Sequence, residues 1–135
     1  MKAKAQQQTA SLQQQQIQHI IASIQDKKGV KIVSMDLRPV GSICDYFIIC
    51  EGNSPPHVRA IADNVMFEMK KKFGINPVHC EGFGTLDWVL VDYFDIVVHV
   101  FHKDKRNLYQ LEDLWGDAQL TEHELQPTMP KAPQK

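Results

Sequence analysis

The sequence predicts an α/β (α+β) chain, a mixed β-sheet flanked by helices. Three observations carry this. Apolar residues recur at spacings of three and four in two segments, from Leu12 to Ile24 and from Val58 to Phe73. Short apolar runs rich in β-branched and aromatic residues lie between and after them. Two of those runs, Trp88 to Tyr93 and Ile96 to Phe101, stand so close that only an antiparallel hairpin can join them, since a parallel return needs a dozen or more residues.

Taken in order, Gln6 to Gln8 and Gln13 to Gln16 make the start a polar, low-complexity tract that buries too little area to offset chain entropy. Residues 1–10 are therefore expected to be disordered. Helix is expected from near Ser11, its stripe being Leu12, Ile17, Ile20, Ile21 and Ile24, with Gly29 as the stop. Val30 to Leu37 reads as a first strand. Asp45 to Cys50 is a nearly continuous apolar run, which suits a strand buried on both faces in the middle of a sheet. Ser54 is a fitting N-cap and Pro55 a fitting first residue for a helix running to Phe73 and ended by Gly74, with Lys70 to Lys72 at the negative end of its dipole. Val78 to Glu81 reads as a short strand ahead of the hairpin. Leu108, Leu111, Leu114 and Trp115 read as a last short helix, with Trp115 packed on the sheet. The domain is expected over residues 11–120, with residues 121–135 a flexible tail.

At 135 residues with 43% hydrophobic content, the chain has one domain's worth of sequence and enough apolar residues for a core. No apolar run approaches the ~20 residues a membrane-spanning helix needs. The start leads into glutamines rather than an apolar stretch, so no secretory signal is expected. Cys44, Cys50 and Cys80 form no C-x-x-C and are odd in number, which favours buried thiols in a reducing cytoplasm over a disulfide scaffold or structural zinc. The net charge of −1 hides an asymmetry: residues 1–75 hold ten Lys/Arg against six Asp/Glu, and residues 76–125 hold three against ten. An acidic second half suits a basic partner better than it suits phosphate, although carboxylates that merely solvate a surface give the same count.

The chemistry-bearing residues are few. His79 with Glu81, and His99 with His102, form two separate pairs, whereas zinc needs three or four converging ligands. Structural histidines near a sheet edge are the better reading. Arg38 and Arg59 read as local ion-pair partners. On a strand, Trp88, Leu90 and Asp92 face one way, while Val89, Val91 and Tyr93 face the other. The valine face suits the core. The Trp-Leu-Asp face is either sheet surface under a helix or a hot spot for a partner.

The run from Ser34 to Ala118 resembles the ribosomal silencing factor, or Iojap-like, family. The resemblance is carried by Met35-Asp36-Leu37-Arg38, Cys44-Asp45-Tyr46-Phe47-Ile48-Ile49-Cys50-Glu51-Gly52-Asn53-Ser54 and Val58-Arg59-Ala60-Ile61-Ala62-Asp63. It continues through His79-Cys80-Glu81-Gly82, Trp88-Val89-Leu90-Val91-Asp92-Tyr93, Asp95-Ile96-Val97-Val98-His99-Val100-Phe101 and Leu111-Glu112-Asp113-Leu114-Trp115-Gly116-Asp117-Ala118, in the family's order and spacing. One departure is Phe94, where the family usually has the hairpin's glycine; Phe does not take φ > 0 as glycine does, so the turn type is left open. The resemblance implies a nucleotidyltransferase-like fold without its catalytic carboxylates. It implies a translational repressor that binds the large ribosomal subunit through ribosomal protein fourteen and blocks association with the small subunit when nutrients are short. It also implies a homodimer when free, and a partner-binding face formed by Trp88, Leu90, Asp92, Tyr93 and Asp95, with no cofactor, no membrane and no sequence-specific nucleic acid.

The alternative is a metal-dependent nucleotidyltransferase, or nucleotide-binding remnant, using the Gly41-Ser42 loop. Such an enzyme needs two carboxylates on one strand face to hold two divalent metals. Asp45 and Glu51 are six residues apart, and Asp92 and Asp95 are three apart across a turn. Neither pair is the D-x-D that places both acids on one face, so the adaptor reading is preferred to the enzyme.

Overall fold

The computed structural model describes residues 2–41, 44–106 and 119–123, the side chains from residue 12 onward and excepting 119 and 120. Helix α1 spans Lys2–Asp26, β1 Val30–Asp36, β2 Tyr46–Gly52, α2 Pro55–Phe73, β3 His79–Glu81, β4 Trp88–Asp92, β5 Ile96–His102 and β6 Gln119–His123, with a 3-10 turn at Arg38–Val40. The strands form one sheet in the order β3-β4-β5-β2-β1-β6. Only β2 and β5 are parallel; every other neighbouring pair is antiparallel. The sheet is mixed, as the sequence predicts, and the two most continuously apolar strands lie at its centre.

Helix α2 matches its expected bounds because its signals are local. The Ser54 hydroxyl accepts from the His57 N–H, Pro55 begins the helix, and Gly74 closes it at φ 71° with its N–H on the Lys70 carbonyl. Helix α1 differs. It starts at Lys2 rather than near Ser11, so the segment expected to be disordered has helical backbone; alanine and glutamine are good helix formers and no breaker interrupts them. At its other end the left-handed residue is Lys28, at φ 63°, not Gly29. Gly29 is required for space instead, since a Cβ there would lie 2.4 Å from Ile24 Cγ2.

Strand β6 is the second difference. Gln119–His123 pairs antiparallel with β1, so residues 121–123, expected in the flexible tail, close the sheet's far edge. Backbone pairing along β1 fixes this strand, and its side chains give little sign of it. The expected helix from Leu108 to Trp115 lies outside the described residues.

Both described helices cover one sheet face. Ile17, Ile20, Ile21 and Ile24 of α1 and Val58, Ile61, Val65 and Met69 of α2 pack there on Ile48, Val89, Val91, Val98 and Val100. Each such side chain, fully buried, stabilises the fold by roughly 1.5–3 kcal/mol. The opposite face gathers Val33, Met35, Ile49, Val97 and Phe101, with Phe47, Trp88 and Leu90 packed against them.

Candidate functional site

The alternation along β4 decides what each face presents. Val89, Val91 and Tyr93 are buried under the helices, while Trp88, Leu90 and Asp92 point to the other face and stay partly exposed. Register then supplies their neighbours: Trp88 lies opposite Phe101, Leu90 opposite His99 and Asp92 opposite Val97. Outside them, β3 sets Glu81 against Leu90 and His79 against Asp92. The indole of Trp88 stacks on Phe101 at 5.0 Å between centroids and donates from Nε1 to His99 Nδ1 at 3.0 Å. His99 in turn meets Phe47 edge-on at 4.5 Å. Trp88 is thus a fixed aromatic plate at the border of the sheet's second core, with one side packed and part of its surface open.

His99 is 3% exposed, and burial holds its imidazole at a pKa of about 3. It is therefore neutral, and because Nδ1 accepts from Trp88 the proton sits on Nε2, which has no hydrogen-bond partner among the described residues. This group makes stability pH-dependent. Its folded pKa lies below the ordinary 6.5, so the neutral form's stability is complete above pH 6.5 and declines as pH falls toward 3. The expected slope reaches about 1.4 kcal/mol per pH unit near pH 5. Denaturant midpoints measured from pH 7 to pH 5, above the main carboxylate range, should fall in the wild type and fall clearly less in His99→Leu. Equal slopes would remove His99 as the cause.

The other expected site residues separate. Asp92 Oδ1 accepts from the Phe94 N–H at 2.7 Å, so this carboxylate also shapes the turn. Phe94 takes φ 80°, the left-handed conformation that glycine adopts with least strain. Tyr93 is 7% exposed on the helix side, and burial raises its phenol's pKa. Asp95 lies past the turn, where its Oδ2 accepts from Gln13 Nε2 at 3.1 Å. Trp88, Leu90 and Asp92 form one stripe, Asp95 sits at its end, and Tyr93 belongs to the core. Sequence reasoning did not bring Phe47, His99 and Phe101 to this face; only the strand register does that.

The remaining polar residues have structural duties. Arg38 holds Asp36 at 2.7 Å and Arg59 lies 3.6 Å from Asp63. His79 Nε2 contacts Glu81 Oε2 at 2.6 Å on the exposed edge strand. Burial raises the thiols of Cys44 and Cys50 to about 11 and about 12, which keeps them protonated and unreactive. Asp45 precedes β2 and Glu51 lies near its far end, about 20 Å away at strand rise. Asp45 accepts from Gln13 and Glu51 is buried against Arg106, so they cannot share a metal ion. Gly41 caps the 3-10 turn at φ 69°, and Ser42 lies outside the described residues.

With this geometry in hand, the family described as ribosomal silencing factor during starvation matches residues 9–135. The chain belongs to this family. It is 46% identical over 101 residues to ribosomal silencing factor RsfS of Bacillus subtilis, covering 75% of this chain and 85% of that one. It is 28% identical over 101 residues to the Mus musculus protein named mitochondrial assembly of ribosomal large subunit protein 1, covering 73% of this chain and 44% of that one. A crystal structure of a Chromobacterium violaceum protein superposes with a TM-score of 0.73 at 35% identity, covering 76% of this chain and 85% of that one. The α+β architecture is therefore one this silencing-factor chain shares with a solved structure. Among the described residues no helix is long and apolar enough to cross a membrane.

Proposed function

We propose that this chain represses translation by occupying the large ribosomal subunit, through ribosomal protein fourteen, and sterically blocking the small subunit. The observation that carries the reading is the Trp88-Leu90-Asp92 stripe, an aromatic plate fixed by Phe101 and His99 beside a carboxylate on the face away from the helices. Family membership supports the silencing role, and the mouse relative's name supports the large subunit as the target. Steric exclusion needs no reacting group. The free protein is a homodimer of the cytoplasm in this reading, and its function is regulatory rather than enzymatic.

Purified chain added to separated subunits should sediment with the large subunit and lower the fraction of joined ribosomes. Failure to sediment with it would refute the reading. The charge can be tested without disturbing the turn, because Asp92→Asn keeps an oxygen for the Phe94 N–H. A rim charge is worth about 0.2–1 kcal/mol, so Asp92→Asn should weaken binding up to about fivefold at low salt and much less at high salt. Salt-independent weakening would show that Asp92 makes no ionic contact.

A further inference from the structure

Among the described residues four large apolar side chains are exposed, Leu12, Phe67, Val78 and Phe94, and three of them gather around the β4–β5 turn. Phe94 is the tip of that turn, bound through its N–H to the Asp92 carboxylate at 2.7 Å. The Val78 N–H donates to the Asp92 carbonyl at 2.8 Å, which sets Val78 beside the same residue. Leu12 lies across a groove of about 350 Å³ whose apolar wall is Leu12, Ile75 and Tyr93 and whose polar wall includes Gln13, Asn76 and Asp95. Tyr93, nine-tenths buried at the base of this region, has a hydroxyl with no partner among the described residues.

Phe94 is unfavourable to the isolated fold in two ways. Its φ of 80° is one that a side chain with a Cβ adopts only with strain, and glycine would make the same turn without it. The residue is 75% exposed, so burial returns little of that loss. A residue that strains its backbone and gains nothing by packing has its use outside the chain.

Charge indicates the occupant. Asp45, Asp92 and Asp95 surround the turn, and none has a Lys, Arg or His ion pair among the described residues. One amide, Gln13 Nε2, serves both Asp45 and Asp95, at 3.0 and 3.1 Å. The nearby Arg38 is already bound to Asp36 through both Nε and Nη2. Phosphate is repelled by such a surface, whereas a protein surface with Lys or Arg beside an apolar side chain fits it. The patch is also continuous with the Trp88 face, because Asp92 belongs to both.

We infer that Phe94, with Val78 beside it, is a second anchor for the basic large-subunit protein, so that the contact runs from Trp88 along β4, over Asp92, and round the turn. This rests on the reading that the Trp88 face binds the large subunit. An apolar side chain of the partner packs on the Phe94 ring while a Lys or Arg approaches Asp92 and Asp95. The anchor separates stability from binding, since the same strain that weakens the fold presents the ring.

The test uses the full chain and purified large subunits, with Phe94→Gly, Phe94→Leu and Trp88→Ala in parallel. Phe94→Gly should melt higher than wild type and bind about tenfold more weakly. Phe94→Leu, which keeps an apolar side chain at the tip, should keep most of the affinity. If Phe94→Gly melts higher and binds as tightly as wild type while Trp88→Ala binds weakly, the face stands and the anchor falls. If both variants bind as wild type, the face itself is wrong. If Phe94→Gly instead shifts only the chain's own monomer–dimer balance, the patch serves a second copy and the inference is overturned.

Discussion

Trp88→Ala should abolish co-sedimentation with the large ribosomal subunit while the chain stays folded. In the proposed reading, the loss of this side chain falls chiefly on binding and only moderately on folding. Its indole stacks on Phe101 at 5.0 Å and is held by His99, so its orientation is fixed before any partner arrives. Truncating a central interface tryptophan typically costs ~2–4 kcal/mol, or about thirty- to a thousandfold in affinity. The fold loses a partly exposed side chain rather than a core one, and the helix-side core of Ile48, Val89, Val91, Val98 and Val100 is untouched. His99 Nδ1 loses its donor, so the midpoint should drop by a few degrees and the far-ultraviolet circular dichroism should remain native. Trp88→Phe separates the contributions: it keeps the ring stack on Phe101 and loses only the N–H, and it should bind better than the alanine variant. A folded Trp88→Ala protein that still blocks subunit joining at wild-type concentration would show that the contact lies elsewhere on the acidic half.

The stripe containing Trp88 was legible in the sequence because strand alternation is a rule of period two. Trp88, Leu90 and Asp92 had to share a face, and Val89 and Val91 had to share the other. What the pattern lacked was the identity of the opposing strands. His99 and Phe101 reach Trp88 through the β4–β5 register, and Phe47 joins through the parallel pairing of β2 with β5, a contact some fifty residues apart in the chain. Continuous apolar content marked β2 as central without naming its neighbours. Helix α2 was fully legible, since Ser54, Pro55 and Gly74 act within a turn of its ends. Strand β6 was not, because only Leu120 among Gln119–His123 is apolar and the strand is fixed by backbone bonds to β1. Tyr93 follows the same alternation: it shares the face of Val89 and Val91 and is buried under the helices.

The largest expected loss of stability belongs to a buried ion pair. Strand β1 is irregular between Val30 and Val33, where its register with β2 shifts, and Lys31 sits there at φ 52°. The carbonyl of Lys31 is bound by Arg106 Nη1 at 2.6 Å, and the same nitrogen lies 3.4 Å from the Glu51 carboxylate. Arg106 and Glu51 are 6% and 5% exposed, and the Glu51 carboxylate has Arg106 as its ion-pair partner. Arg106→Ala would leave a buried carboxylate without its cation and remove the donor from the bulge carbonyl. Breaking such a pair from one side costs about 3–5 kcal/mol, a large share of the ~5–15 kcal/mol that holds a domain folded. The melting midpoint should fall by about 10–20 °C. Replacing both partners by apolar residues of similar volume, Arg106→Met with Glu51→Leu, should recover most of the loss, because the penalty lies in the stranded charge rather than in the missing attraction. A midpoint for Arg106→Ala within about 3 °C of wild type would show that the pair does not tie the segment after β5 to the β1–β2 bulge. A double variant no better than the single would place the cost in the Lys31 carbonyl instead of in Glu51.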